Sequence, residues 1–401
     1  MSYIKITVSL FFLLNTILVH SQETKKPRVK TEFSGHYKGD FRYFPEEGLF
    51  DKQKDSYFST VVQPKLLLEW DDGDQLLQFT TFARLDQYND ARTHIDIREL
   101  YWQKMAKKWD LSIGVKKIFW GVTESNHLVD IINQYDMLEG IDVKHKLGQP
   151  MAHLSLALKW GIIDLIGSTY SRKLKLSGTQ GRLRPPINID YKNVLYESNQ
   201  EEYNIDFAIR WSKSIKLVDI GLSHFYGNSR LPKLISSNGL NTVLYYEKIH
   251  HSSIDLQALT GAILWKMEAI YQFRENDEIL AATIGGEYTI SNLFSSASEI
   301  TLLAEYSYDE RAQEVFTGLN NDVFLGTRIA INDKQSTDIT TGFVWDTELE
   351  TRMYSLQFNR RLNANWKMQL DAKMFDHVNM NDLLFYNKND SYVQATFINY
   401  F

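Results

Sequence analysis

The 401-residue chain has no cysteine and only 7 prolines. Without thiols it can build neither a disulfide framework nor a thiolate metal site. So few prolines leave long stretches free to form unbroken strands. After residue 22 no run approaches the roughly 18 apolar residues of a spanning helix, which excludes a helical membrane protein. A basic surplus is missing too: 44 Lys and Arg face 50 Asp and Glu, for a formal net charge of −6. That balance argues against a nucleic-acid partner. The chain carries no Gly-x-Ser-x-Gly elbow, no phosphate-cradling glycine loop and no His-Glu-x-x-His helix, so neither an enzyme nor a cofactor is expected. No metal site is expected either. His250-His251 is a lone pair whose side chains point apart on a strand, and Asp71-Asp72-Gly73-Asp74 lacks the further ligands of a calcium loop and reads as a turn.

What the sequence does have is aromatic side chains, 22 Tyr, 22 Phe and 9 Trp, and a leader. Lys5 precedes the apolar run Ile6–Leu14, and Val19 with Ser21 forms a small-residue cleavage site before Gln22. Residues 1–21 therefore read as a secretory signal peptide, residues 22–35 as a periplasmic N-terminal segment, and residues 36–401 as one folded unit.

Period-two alternation runs through that unit. In Glu202–Trp211, Tyr203, Ile205, Phe207, Ile209 and Trp211 oppose Glu202, Asn204, Asp206 and Arg210. In Ile263–Arg274, Ile263, Trp265, Met267, Tyr271 and Phe273 oppose Lys266, Glu268, Gln272 and Arg274. Glu299–Tyr308 and Trp366–Phe375 repeat the pattern. Three features favour a membrane barrel over a soluble sandwich. The segments have the length of tilted bilayer-crossing strands. Aromatics such as Trp211, Trp265, Trp345, Trp366 and Tyr400 sit at the ends of the apolar faces, as interfacial girdles do. Connections alternate between short and long.

The expected fold is all-β: a transmembrane antiparallel up-and-down barrel of about 18 strands, 16–18 allowing for error, with short periplasmic turns and long external loops. Strands are expected near 36–44, 57–70, 75–87, 94–105, 109–120, 151–160, 162–171, 201–212 and 216–226. Nine more fall near 251–260, 263–274, 280–290, 298–308, 322–332, 337–346, 351–361, 364–375 and 391–401. Residues 242–249 are a possible extra strand, Pro64 marks an irregularity suited to a bulge, and the adjacent charges Arg98 and Glu99 leave the faces of the fourth strand ambiguous.

Arg98-Glu99-Leu100-Tyr101, with Leu111 to Lys116 and Trp120-Gly121, resembles outer-membrane porins of the alginate-export and related 18-stranded channel type. Phe324 to Asp333 and Arg360 to Trp366 are similar to widespread, largely uncharacterised bacterial porin-like proteins. The terminal Phe401 on an alternating strand resembles the signal read by barrel-assembly machinery, although Asn399 replaces a usual apolar residue. The resemblance implies a cell outer membrane of a Gram-negative bacterium, outer-membrane lipid around the barrel, and weakly implies transport. It supplies no substrate.

The expected function is a porin or channel for passive diffusion of small hydrophilic solutes. The alternative is a non-conducting barrel acting as an assembly or export partner; oligomeric state stays open. Charged faces turned from lipid place Arg84, Lys116, Asp206, Arg210, Lys266, Glu268, Glu305 and Arg328 on the pore lining, with Arg84, Lys116, Arg210 and Arg328 as a cationic wall. In the loop 121–150, Leu128, Ile131, Ile132 and Tyr135 have helical spacing, so a short helix tucked into the lumen is expected. Its acids Glu124, Asp130, Asp136, Glu139 and Asp142 would face that wall. A second loop carries Arg172, Lys173, Lys175, Arg182 and Arg184, a basic external surface for anionic solutes or lipid headgroups.

Overall fold

A segment with one apolar and one charged face is stable only where the two faces meet different surroundings, and pairing such segments edge to edge until the sheet closes leaves no free strand edge. The computed structural model describes residues 29–401 except 142–143, 238–240, 276 and 312–318. The leader lies outside the described residues. The first ten strands are β1 (Lys30–Tyr43), β2 (Ser56–Trp70), β3 (Gln75–Asp86), β4 (His94–Ala106), β5 (Trp109–Lys116), β6 (Gln149–Leu158), β7 (Gly161–Ser168), β8 (Leu195–Tyr196), β9 (Asp206–Ile215) and β10 (Val218–Asn228). The next six are β11 (Lys233–Ser237), β12 (Asn241–Tyr246), β13 (Lys248–Thr260), β14 (Ile263–Arg274), β15 (Asp277–Ile290) and β16 (Glu299–Asp309). Last come β17 (Asn321–Ala330), β18 (Asp338–Asp346), β19 (Arg352–Arg361), β20 (Trp366–Asp376) and β21 (Tyr392–Tyr400).

All but β8, β11 and β12 form one 18-stranded antiparallel sheet, and β1 pairs with both β2 and β21, which closes it. At the seam the Phe401 N–H donates to the Gly35 carbonyl and the Gly35 N–H donates back. Each of the eighteen expected segments coincides with a barrel strand. The boundaries differ by more than three residues in three places. β1 begins at Lys30, inside the expected N-terminal segment, and residues 30–35 pair with β2. β5 stops at Lys116, because the chain then turns inward and buries Trp120. β9 begins at Asp206, preceded by a 3-10 turn at Glu201–Tyr203. The region 242–249 does not add a barrel strand. Its first part is β12, which joins β11 and β8 in a separate three-stranded sheet.

The faces follow the alternation. Phe207, Trp265, Ile284 and Leu325 point outward and are about half exposed, whereas Glu268 and Asp206 point inward and are closed off almost completely. On β4 the parity changes. The β3–β4 register slips between Thr80 and Thr81, so Thr80 faces Glu99 and Thr81 faces Ile97, leaving Arg98 as the extra residue of a bulge. Arg98 and Glu99 therefore both face inward, while Ile97 and Leu100 face out. At Pro64 the β2–β3 ladder has a two-residue gap with the register unchanged on either side, so the proline interrupts pairing without a bulge. Asp71 and Asp72 take left-handed backbone conformations in the tight β2–β3 turn.

Candidate functional site

Residues 117–141 leave β5 and cross the lumen, and residues 144–148 lead into β6. Their apolar stripe does enter the barrel, but not as a helix; the segment is irregular, with isolated turns. Burial of Trp120, Leu128, Val129, Ile131 and Ile132 against inward-facing Met151, Ile166, Ala208, Phe225, Ile249 and Ile270 supplies the driving force. The helical spacing of the stripe reflects which residues are buried and not the backbone path. A second apolar cluster lies among the loops themselves: Tyr135, Met137, Leu174, Leu176, Leu244 and Tyr246.

Backbone amides without helical partners must be satisfied by other groups, and two wall carboxylates take that part. Glu268 Oε1 accepts from the Val122 N–H (2.7 Å), the Thr123 N–H (3.0 Å) and the Thr123 hydroxyl (2.8 Å). Its Oε2 accepts from the Val129 N–H at 3.1 Å. Glu305 accepts from the Glu124 N–H (2.8 Å), the Ser125 N–H (2.8 Å) and the Ser125 hydroxyl (2.5 Å). Both acids had been placed on the lining by strand parity; their attachment to the loop backbone has no sequence signature.

Ion pairs fix the rest of the loop. The Arg84 guanidinium donates two parallel hydrogen bonds to Glu139 (2.8 and 2.7 Å) and one to Asp40 (2.9 Å). Arg98 pairs with Asp136 at 2.6 Å, Asp130 with Lys146 of the same loop at 3.5 Å, and Arg328 with Glu124 at 3.1 Å. Asp142 lies outside the described residues. Burial would raise the carboxyl pKa of Glu139, but the charges of Arg84, Lys38 and Arg92 outweigh it and hold the group well below the usual range. Burial raises Asp130 despite Lys146, and keeps His127 neutral, down at about 4, with Lys144 adding to the effect.

The cationic wall is thus largely paired. Arg84 is held as above, Arg210 is locked to Asp255 by two hydrogen bonds, Lys266 pairs with Glu287, and Lys116 donates to the Ser112 hydroxyl. Asp206 pairs with the buried Arg230 at 2.9 Å. Arg328 and Glu124 keep side-chain exposures of 40% and 30%, so their pair borders water inside the lumen.

The basic loop departs from its expected external position. Arg182 and Arg184 are buried, Arg172 pairs with Asp96 at 2.6 Å, and Lys173 with Glu202 at 3.6 Å. Arg182 crosses the mouth to bond Asp390 at 2.5 Å and the Glu46 carbonyl at 3.0 Å. Of these five cations only Lys175 stays open to solvent. Buried guanidinium groups need carboxylate or carbonyl partners, and the rim supplies them, so the surplus is turned inward. Sequence reading missed Asp40, Arg98 and Arg230 as site residues. Asp40 was accessible to it, since Asp40 alternates with Phe41 on β1; the pairings of Arg98 and Arg230 depend on the bulge and on loop path.

No family model and no curated protein matches the chain. Among solved structures it is similar to a loop L8 deletion mutant of OmpT, an outer-membrane protein of Vibrio cholerae, at 9% identity and a TM-score of 0.45, covering 93% of this chain and 99% of that one. A mutant porin of Rh. blastica gives 12% identity and 0.46, covering 93% and 100%. Likenesses this distant do not bear on solutes or partners.

Proposed function

We propose that the chain is an outer-membrane channel through which small hydrophilic solutes diffuse passively, its bore set by the loop segment 117–141. A band of half-exposed apolar side chains around a closed sheet is costly in water and is what hydrocarbon requires. The observation that carries the channel reading is the Glu124–Arg328 pair, which stays solvent-accessible deep in the lumen where the loop meets the far wall. Water beside a charged constriction is the arrangement that passes polar solutes and rejects apolar ones. Phe401, paired into the closing seam, would be the residue read by barrel-assembly machinery.

The second reading, a non-conducting barrel that serves an assembly or export partner, is favoured by the two apolar clusters, since a hydrophobically cored loop domain resembles a plug. Planar-bilayer recording on the refolded full chain separates them. Steady single-channel steps support the channel. Silence from protein shown to be folded and inserted rejects it.

A further inference from the structure

The lumen wall formed by β17 to β20 carries a different kind of surface from the part that holds the apolar stripe. On β17, Phe324, Gly326 and Arg328 share the inward face, and Gly326 is paired with Gly342 of β18. A Cβ on Gly326 would meet Phe324 Cε1 at 3.0 Å and Cζ at 2.9 Å, and a Cβ on Gly342 would meet Cε2 at 3.0 Å. The ring therefore runs along its own strand toward Gly326 and spreads sideways toward Gly342. It lies along the wall, with one face on the two glycines and the other toward the lumen. Glycine inside a strand marks such a close approach. Phe324 is only half-buried and belongs to neither apolar cluster of the loops.

Uncharged polar groups stand beside the ring. Ser355 faces Gly342 across the β18–β19 pair, and Gln357 faces Thr340. Both are exposed although they point inward, so water reaches this wall. The Ser355 hydroxyl lies 2.7 Å from the position of a Gly342 Cβ, which places it next to the ring. Gln357 donates to Asp371 at 2.9 Å, and Gln369 donates to both oxygens of the same carboxylate at 3.0 and 2.9 Å. The bordering charges are engaged or closed off. Glu305 holds the loop amides, Arg328 pairs with Glu124, and Lys373, opposite Ser355, is only 9% exposed. Among these groups an ionic solute finds no exposed, unpaired counter-charge.

The face of an aromatic ring is electron-rich and attracts weakly positive C–H groups, while amides and hydroxyls both donate and accept hydrogen bonds. A pyranose sugar offers both surfaces, C–H bonds across a flat face and hydroxyls around its edge. Neighbouring strands stand about 4.8 Å apart and alternate residues roughly 7 Å apart, the span of one such ring with its hydroxyls.

We propose that Phe324, Ser355 and Gln357 form a binding subsite for a neutral pyranose sugar, which stacks on Phe324 and bonds its hydroxyls to Ser355 and Gln357. As the solute class of the channel this rests on the reading given above; as a binding site it does not. The site adjoins the constriction, since Arg328 follows Phe324 by two inward positions on the same strand. An aromatic ring over glycine also stabilises a sheet by itself, and that role needs no sugar.

The test is saturation-transfer NMR on the folded full chain in lauryldimethylamine oxide, a detergent without a sugar headgroup. Glucose should show saturable transfer, strongest at its ring C–H protons. Sorbitol, which has the hydroxyls but no flat face, should bind at least tenfold more weakly, and glucuronate no better than glucose. Phe324→Leu still covers the glycines, so the barrel should fold while glucose binding weakens at least fivefold. Phe324→Tyr should retain binding, and Gln357→Ala should weaken it at least threefold. The proposal is overturned if glucose gives no saturable signal with the wild-type barrel, if folded Phe324→Leu binds it equally well, or if glucuronate binds more tightly. A barrel silent in planar bilayers that still binds glucose would reject the channel and keep the subsite; a conducting barrel that does not bind glucose would do the reverse.

Discussion

Glu268→Gln should release the tip of the lumenal loop while leaving the barrel intact. Among the described residues no Lys or Arg pairs with the wild-type carboxylate, and His127, 4.0 Å away, is kept neutral by burial. The carboxylate's two oxygens accept four hydrogen bonds from Val122, Thr123 and Val129. An amide of the same shape keeps one oxygen, which can still serve Val122 and Thr123. Its NH2 then faces the Val129 N–H, donor against donor. Losing one charge-assisted bond costs about 1.5–3 kcal/mol, and reducing the others to neutral strength adds to that. Removing a buried charge without a cationic partner returns part of it. The net is about 2 kcal/mol, or roughly a 30-fold shift from docked toward released loop. Hydrogen exchange read by mass spectrometry on the folded protein should show faster exchange at residues 122–129 and unchanged protection in β13 to β16. Unaltered exchange at 122–129 would refute the reasoning. Faster exchange spread through the strands would refute it too, by showing that Glu268 supports the barrel and not the loop.

Two further perturbations test the wall and the latch. Ile284→Arg, at an outward position midway along β15, should destabilise the folded barrel in lipid by about 2–4 kcal/mol, while Thr340→Arg on the inward face of β18 should cost far less. Equal unfolding midpoints in denaturant titrations of vesicle-inserted protein would show that Ile284 does not meet hydrocarbon. For Glu139 the sign follows from its depressed pKa. A carboxylate ionised more readily in the folded state stabilises it above the usual carboxylate range, and that contribution is lost only as pH falls through the folded value. Exchange at residues 137–140 should therefore stay slow from neutral pH down through the usual carboxylate range and rise only in stronger acid; in Arg84→Ala it should be fast already at neutral pH. Release of these amides near pH 5 in the wild type would contradict the pairing.

The barrel was legible because its information is local. Alternation assigns each residue of a strand to one of two faces, and turn-sized gaps such as Asp71–Asp74 separate strands without reference to the rest of the chain. Strand number and most of the inward set, from Arg84 to Arg328, follow from parity alone. The loops obey no such rule. Leu128, Ile131, Ile132 and Tyr135 were correctly marked as a buried group, but spacing cannot distinguish a helix from an irregular segment whose amides are taken up by distant carboxylates. Glu268 lies 139 residues from Val129. The basic loop misled for a related reason. A run of cations reads as a solvated surface until the acceptors that bury it, Asp390 and Asp96 among them, are placed beside it by closure of the barrel.

Arg98 and Glu99 show where even the local rule fails and what the failure means. Strict alternation forces one of two neighbouring charges toward the outer face, at a cost in hydrocarbon. The chain escapes by inserting one residue at the β3–β4 bulge, so that both turn inward. The inserted residue is the one that matters to the lumen: Arg98 reaches Asp136 of the crossing loop at 2.6 Å and stacks over the Phe82 ring at 4.1 Å. The bulge therefore does two things with one residue, removing a charge from the outer face and delivering it to the loop. On β4 the pair of adjacent charges thus marks both the bulge and the loop contact on its inner side.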